Sequence, residues 1–174
     1  MSILKVARMG HPVLRAVARP LERTQIRSAP VQKLIDDMID TMIEYHGVGL
    51  AASQVHEGLR VFVAMLDVSE EGAEAKAIAI INPEVIPVGD VVEDWEGCLS
   101  IPDIRGRVPR PRDVKLRAFD RDGERLELQA HDYPARVIQH ETDHLDGILF
   151  FDRMRSLESL TFLDEYSRYW IKDE

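Results

Sequence analysis

The sequence predicts an α+β fold: mostly antiparallel short sheets packed around a central helix that carries the pattern His-Glu-x-x-His, with a long N-terminal helix and a C-terminal helix. Three observations carry this expectation. Apolar residues recur at helical spacing from Ser28 to Tyr45, and two runs of alternating polarity flank Arg121-Asp122-Gly123. The third is the stretch from Tyr133 to Asp146, which holds His140-Glu141-Thr142-Asp143-His144 between helix-starting and helix-ending residues.

In chain order, His11-Pro12-Val13-Leu14 reads as a short turn or a single helical turn, with His11 structural or exposed. Ser28 can cap the long helix and Pro30 suits its first turn, while Val31, Leu34, Ile35, Met38, Ile39, Met42 and Ile43 form one apolar stripe. Gly47 is expected to end it. The methionines read as core filling. Arg60 to Leu66 and Ile78 to Ile86 read as strands, the second interrupted at Asn82-Pro83, with the acidic segment Ser69 to Glu74 as an exposed loop between them. Val91-Val92 leads into Trp95 and a turn at Glu96-Gly97-Cys98, and the basic run Arg105 to Arg112 reads as a solvated loop. Val114 to Asp120 and Glu124 to Ala130 form a hairpin. On the motif helix, Asp132 is the expected cap and Pro134 a first-turn residue; Ala135, Ile138 and Leu145 supply its buried face and Gly147 its end. Ile148 to Phe151 reads as a short strand or packed turn, and Leu157 to Ile171 as the final amphipathic helix.

At 174 residues the chain is expected to be one domain, 1–174, with a core that needs no disulfide. Its net charge of −9 argues against nucleic acid as a partner, because phosphate binding needs a basic face. A lone cysteine suits a reducing compartment, no run is long enough to span a membrane, and the start lacks a signal peptide's apolar core. The cytoplasm is the expected location.

The chemistry begins with His140 and His144. Residues four apart share a helix face, so both imidazoles can meet one metal ion, and Glu141 beside them can accept a proton from the water such an ion activates. A catalytic site of this kind needs a third protein ligand. In the metzincin pattern that ligand is a histidine, but its position here is Phe150, which excludes that reading. A thermolysin-like site would take a downstream glutamate, and Glu165 is suitably placed. The third candidate is Cys98. A lone cysteine is commonly a small buried hydrophobe, yet the neighbouring Gly97 suits a turn that presents sulfur to a metal and an N–H to a substrate.

The stretch Gly47-Val48-Gly49-Leu50-Ala51-Ala52-Ser53-Gln54 leaves its backbone nearly bare, which lets a second chain approach closely. A tight connection alone would explain the glycines. It does not explain Gln54, whose amide can hold a reacting oxygen.

Together, Gly47 to Gln54, Glu96-Gly97-Cys98-Leu99-Ser100 and Gln139 to Gly147 resemble the three signature motifs of the peptide deformylases, in the family's order, and the likeness runs from His11 to Phe150. The resemblance implies that Cys98, His140 and His144 ligate the metal, that Glu141 shuttles the proton, and that Gln54 and the Leu99 N–H hold the oxyanion. It implies that Gly47, Val48 and Gly49 pair with the substrate backbone, that Val48, Val137 and the His140 ring line the methionine pocket, and that Arg105 lies near the peptide. The implied cofactor is Fe(2+), with nickel, cobalt or zinc as substitutes, although zinc would bind more tightly than iron on the usual affinity order. The implied substrate and partner is the formyl-methionyl N-terminus of a nascent peptide. Tyr133 and Arg136 depart from the apolar pocket wall the resemblance implies, and Arg136 is expected to lay its stem along the pocket with its charge in water. From Asp152 to Glu174 there are four basic and six acidic residues, so the tail does not support docking at the ribosome. Two competing readings are a thermolysin-like zinc protease using Glu165, and a non-catalytic metal- or peptide-binding protein.

Overall fold

A computed structural model describes residues 2–66 and 76–171. The expected acidic loop Ser69 to Glu74 lies outside them. The architecture is α+β, with an antiparallel sheet in the order β1 (Gly49–Ala51), β2 (Val61–Met65), β3 (Ala77–Cys98), β4 (Ile101–Phe119), β5 (Arg125–His131). Helix α1 (Arg23–Ile26) is a single turn, and α2 (Ala29–Glu44) occupies the stretch with the apolar stripe.

Strand β2 shows why the sheet is a middle layer. Its side chains alternate between faces, and four consecutive residues, Val61 to Ala64, are fully buried. Val61 and Val63 face Ile35, Met38 and Met42 of α2. Phe62 and Ala64 face Ala135, Val137, Ile138 and Leu145 of the motif helix α3 (Asp132–Leu145). A third cluster, around Leu14, Ile101, Val108, Leu149 and Phe150, packs at the turn end of the β3–β4 hairpin. Helix α3 touches all five of these strands, so residues on its exposed flank are held by a rigid scaffold.

Several expectations need correction. The strands are not all short: β3 and β4 run for 22 and 19 residues as one bent hairpin. Register shifts between Ile81 and Glu84, Val88 and Val91, and Glu96 and Cys98 allow the bending. The first absorbs Pro83, which has no N–H for the ladder, while Asn82 takes φ 52° and bonds the backbone of Leu21 on both sides. The basic run 105–112 is not a solvated loop but part of β4, with Arg110 buried. Asp132 does not cap α3; it takes φ 51° and its carboxylate pairs with Arg112 at 2.7 Å. The left-handed residue ending α2 is His46, whereas Gly47 lies under Leu99, whose Cδ1 would be 2.9 Å from a Cβ at that position. Ile148 to Phe151 leads into a helical turn, α4 (Phe150–Arg153). The single C-terminal helix breaks into β6 (Thr161–Phe162), paired with Ile104 and Arg105 of β4, and a seven-residue α5 (Leu163–Tyr169). Backbone pairing along β4 outweighs the helical spacing of a stretch whose leucines 157 and 160 stay exposed.

Candidate metal centre

Helix α3 brings His140, Glu141 and His144 to one flank, and the end of β3 brings Cys98 against them. The Cys98 sulfur lies 3.2 Å from Nε2 of His144, and the donor atoms of Cys98, His140 and His144 all lie within 4.8 Å of one another. All three residues are buried. Burial would raise the thiol's pKa, but the two histidines beside it hold it well below the usual range, favouring the thiolate. One soft thiolate and two imidazoles on a rigid frame suit a borderline divalent ion, and three protein ligands leave a coordination position open.

The two buried side-chain polar atoms without a hydrogen-bond partner among the described residues are His144 Nδ1 and Glu141 Oε2. Both belong to this cluster, which is the mark of a polar site built for additional groups. Glu141 is buried, and burial raises its pKa above the ordinary carboxylate value. Gly49 explains how a carboxylate fits there: a Cβ at residue 49 would collide with Glu141. Gln54 Oε1 accepts the N–H of Ala51 at 2.8 Å, which turns its amide nitrogen toward Ser100 Oγ at 3.1 Å and Cys98 Sγ at 3.5 Å.

Beneath the ligands runs a buried charge network that sequence reasoning missed. Glu96 accepts from Nδ1 of His140 at 2.9 Å, from Arg110 at 2.6 and 3.0 Å, and from Arg136 at 2.8 Å. Arg110 also reaches Asp143 at 2.8 Å, and Asp143 accepts from Arg153 at 2.7 Å. Burial would raise Glu96's pKa; hydrogen bonds with His140 and Arg110 overcome it and hold the carboxyl far below the usual range. The available signal was that Glu96 and Asp143 sit inside the two motif stretches, where a buried carboxylate requires a cation. Arg136 is corrected by the same network. Its guanidinium is not in water but bonds Glu96 and the carbonyls of Val92 and Val108.

Beside the cluster lies a cleft of about 540 Å³. Gly47, Val48, Gly49, Leu99, Arg105 and Val137 all line it, so every expected site residue except His144 borders one space, with His144 just behind it in the ligand cluster. Arg105 is half-buried, lies over the bare Gly97, and donates to the Ile104 carbonyl at 3.0 Å. Tyr133 and Arg136 also border the cleft, Tyr133 largely exposed. Glu165 is not in the ligand cluster but pairs with Arg168 at 3.3 Å on α5, which removes the thermolysin-like ligand set.

A sequence model described as polypeptide deformylase matches residues 3–160. The chain belongs to the polypeptide deformylase family. The peptide deformylase of Rhodopirellula baltica is 43% identical over 152 residues, covering 87% of this chain and 73% of the relative. Peptide deformylase 2 of Nostoc is 38% identical over 98% of this chain and 97% of its own. Among solved structures, the Met-Ala-Ser-bound class I type b peptide deformylase from Acinetobacter baumannii superposes with a TM-score of 0.80 at 38% identity, covering 88% of this chain and 100% of that one. Deformylases are metal-dependent hydrolases that remove the formyl group from nascent peptides, and neither competing reading is supported. No helix among the described residues is long and apolar enough to cross a membrane.

Proposed function

We propose that this chain, as a single catalytic domain spanning residues 1–174, hydrolyses the formyl amide of N-terminal formyl-methionine on newly made polypeptides in the cytoplasm. Cys98, His140 and His144 would hold a ferrous ion, with nickel, cobalt or zinc able to substitute. The observation that carries the reading is the contact of bare Gly49 with Glu141 beside the three-ligand cluster. It supports a reading in which the proton carrier, the backbone that receives the peptide and the metal ligands work side by side.

A divalent ion bound there supplies the Lewis acidity that makes water nucleophilic at neutral pH. Glu141 accepts the proton released as the water oxygen adds to the formyl carbon, then delivers it to the amide nitrogen as the C–N bond breaks, leaving formate and a free amine. The carbonyl oxygen gains negative charge, and two donors answer it: the Gln54 amide nitrogen, aimed by its bond to Ala51, and the backbone N–H of Leu99. The backbone at Gly47 to Gly49, at the edge strand of the sheet, adds the peptide as a further strand. Val48 and Val137, with the face of His140, enclose the methionine side chain, and Arg105 flanks the peptide backbone. The Met-Ala-Ser ligand in the Acinetobacter relative supports this choice of substrate class. A formyl group is the smallest acyl group, so a narrow site admits it while an internal peptide bond stays out.

The test is anaerobic formate release from formyl-Met-Ala-Ser by protein loaded with iron(II). Glu141→Ala should retain the metal and lose about 10²- to 10⁴-fold in turnover. Absence of formate from the metal-loaded wild type overturns the reading, as does cleavage of an N-blocked, unformylated peptide at an internal bond.

A further inference from the structure

The last elements of the described chain, β6 and α5, lie beyond residue 160, where the family match ends, yet two of their side chains, Leu163 and Tyr166, line the cleft. Their position is built rather than incidental. Strand β6 pairs with Ile104 and with Arg105, the arginine that covers Gly97. Helix α5 then lays Tyr166 edge-on against Trp95, ring centroids 4.9 Å apart, and Trp170 follows onto the same indole at 5.6 Å. Both tryptophans of the chain are thereby spent on anchoring a seven-residue helix that has no fully buried residue of its own. A short helix with no core would not hold its place without that clamp.

Distance along the hairpin tells which part of a peptide would meet this wall. Trp95 precedes Cys98 by three residues, about 10 Å of strand, and both line the same cleft. An extended peptide whose formyl group lies at the ligand cluster advances about 3.4 Å per residue, so one that follows the cleft toward α5 would bring its third residue to Trp95 and Tyr166, which line it. The wall there is aromatic and aliphatic. Resting on the deformylase reading above, we propose that α5 completes the substrate cleft and that Tyr166, with Leu163 and Trp95, selects formylated peptides with a bulky apolar third residue.

The experiment compares kcat/KM for formyl-Met-Ala, formyl-Met-Ala-Gly and formyl-Met-Ala-Phe on the iron-loaded full chain. The wild type should favour Phe over Gly at the third position by about fivefold, the worth of partly covering one apolar side chain. Tyr166→Ala should bring that ratio close to one. Trp170→Ala, which removes the clamp without touching the cleft lining, should lower it as well. Because the ratio cancels the fraction of active protein, a partly unfolded variant still answers the question. Formate from all three peptides with a wild-type ratio near one, or a ratio unchanged in Tyr166→Ala, overturns this inference alone. No formate from any of them overturns the deformylase reading and this inference with it.

Discussion

Glu96 Oε2 lies 2.9 Å from Nδ1 of His140, although 44 residues separate them. That bond fixes the ring so that its other nitrogen faces Cys98 and His144, the arrangement by which a carboxylate orients a metal-binding imidazole. The same carboxylate anchors Arg110 and Arg136, so one side chain serves both the site and the core.

Glu96→Gln should therefore act twice. Metal affinity should fall about 10- to 100-fold in a cobalt titration, because the His140 ring loses its orienting acceptor charge. Urea unfolding should show a loss of about 3–5 kcal/mol, because Arg110 and Arg136 keep buried charges without their shared partner. Unchanged affinity with reduced stability would assign Glu96 to the core alone.

Gly49→Ala should separate chemistry from metal binding. Its Cβ would strike not only the Glu141 carboxylate but its Cγ, 2.8 Å away, so the whole side chain must shift. Formate release should fall about 10²-fold while cobalt still binds, since a displacement on the order of 1 Å at a catalytic group has that effect. Gly97→Ala offers the contrast: the new Cβ meets the end of the flexible Arg105 side chain, so a smaller loss is expected.

Removal of the metal should leave the fold intact. The three core clusters form around α2, α3 and the hairpin without using the ligand atoms, apart from Cys98 at the edge of one. Far-UV circular dichroism of chelator-treated protein should be unchanged. The melting temperature should drop by about 5–10 °C relative to protein with metal at a hundred times its Kd. Collapse of the spectrum on chelation would mean that the metal is structural.

Asp152 provides a pH test away from the site. Burial would raise its pKa slightly, but Arg15 and the N–H of Leu149 lower it below the ordinary value. A carboxylate with a lowered folded pKa stabilises fully above its unfolded value, about 3.9, and stops doing so as pH falls through the folded one. Asp152→Asn should thus cost no more than about 1 kcal/mol at pH 7, the pair being half exposed, and the difference from wild type should vanish in acid. A difference that persists at low pH in urea melts would assign the effect to packing instead of charge.

Local spacing determined much of this protein. His140 and His144 share a helix face whatever surrounds them, Gly123 with φ 74° closes the expected hairpin, and the apolar stripe of α2 meets the sheet through Ile35, Met38 and Met42. Residue identity at Gly49, Gln54 and Cys98 was also informative, because bare backbone, an amide and a thiol have few chemical uses in combination. What only the tertiary structure decided depends on partners far apart in sequence. Arg110 reads as solvated until Glu96 and Asp143 close around it. The bend that joins β3 and β4 into one hairpin comes from register shifts no periodicity reveals. The C-terminal stretch carries a helical pattern, yet the open edge of β4 and the face of Trp95 divide it into strand and helix, since backbone pairing and aromatic packing across the fold outweigh propensity within a segment.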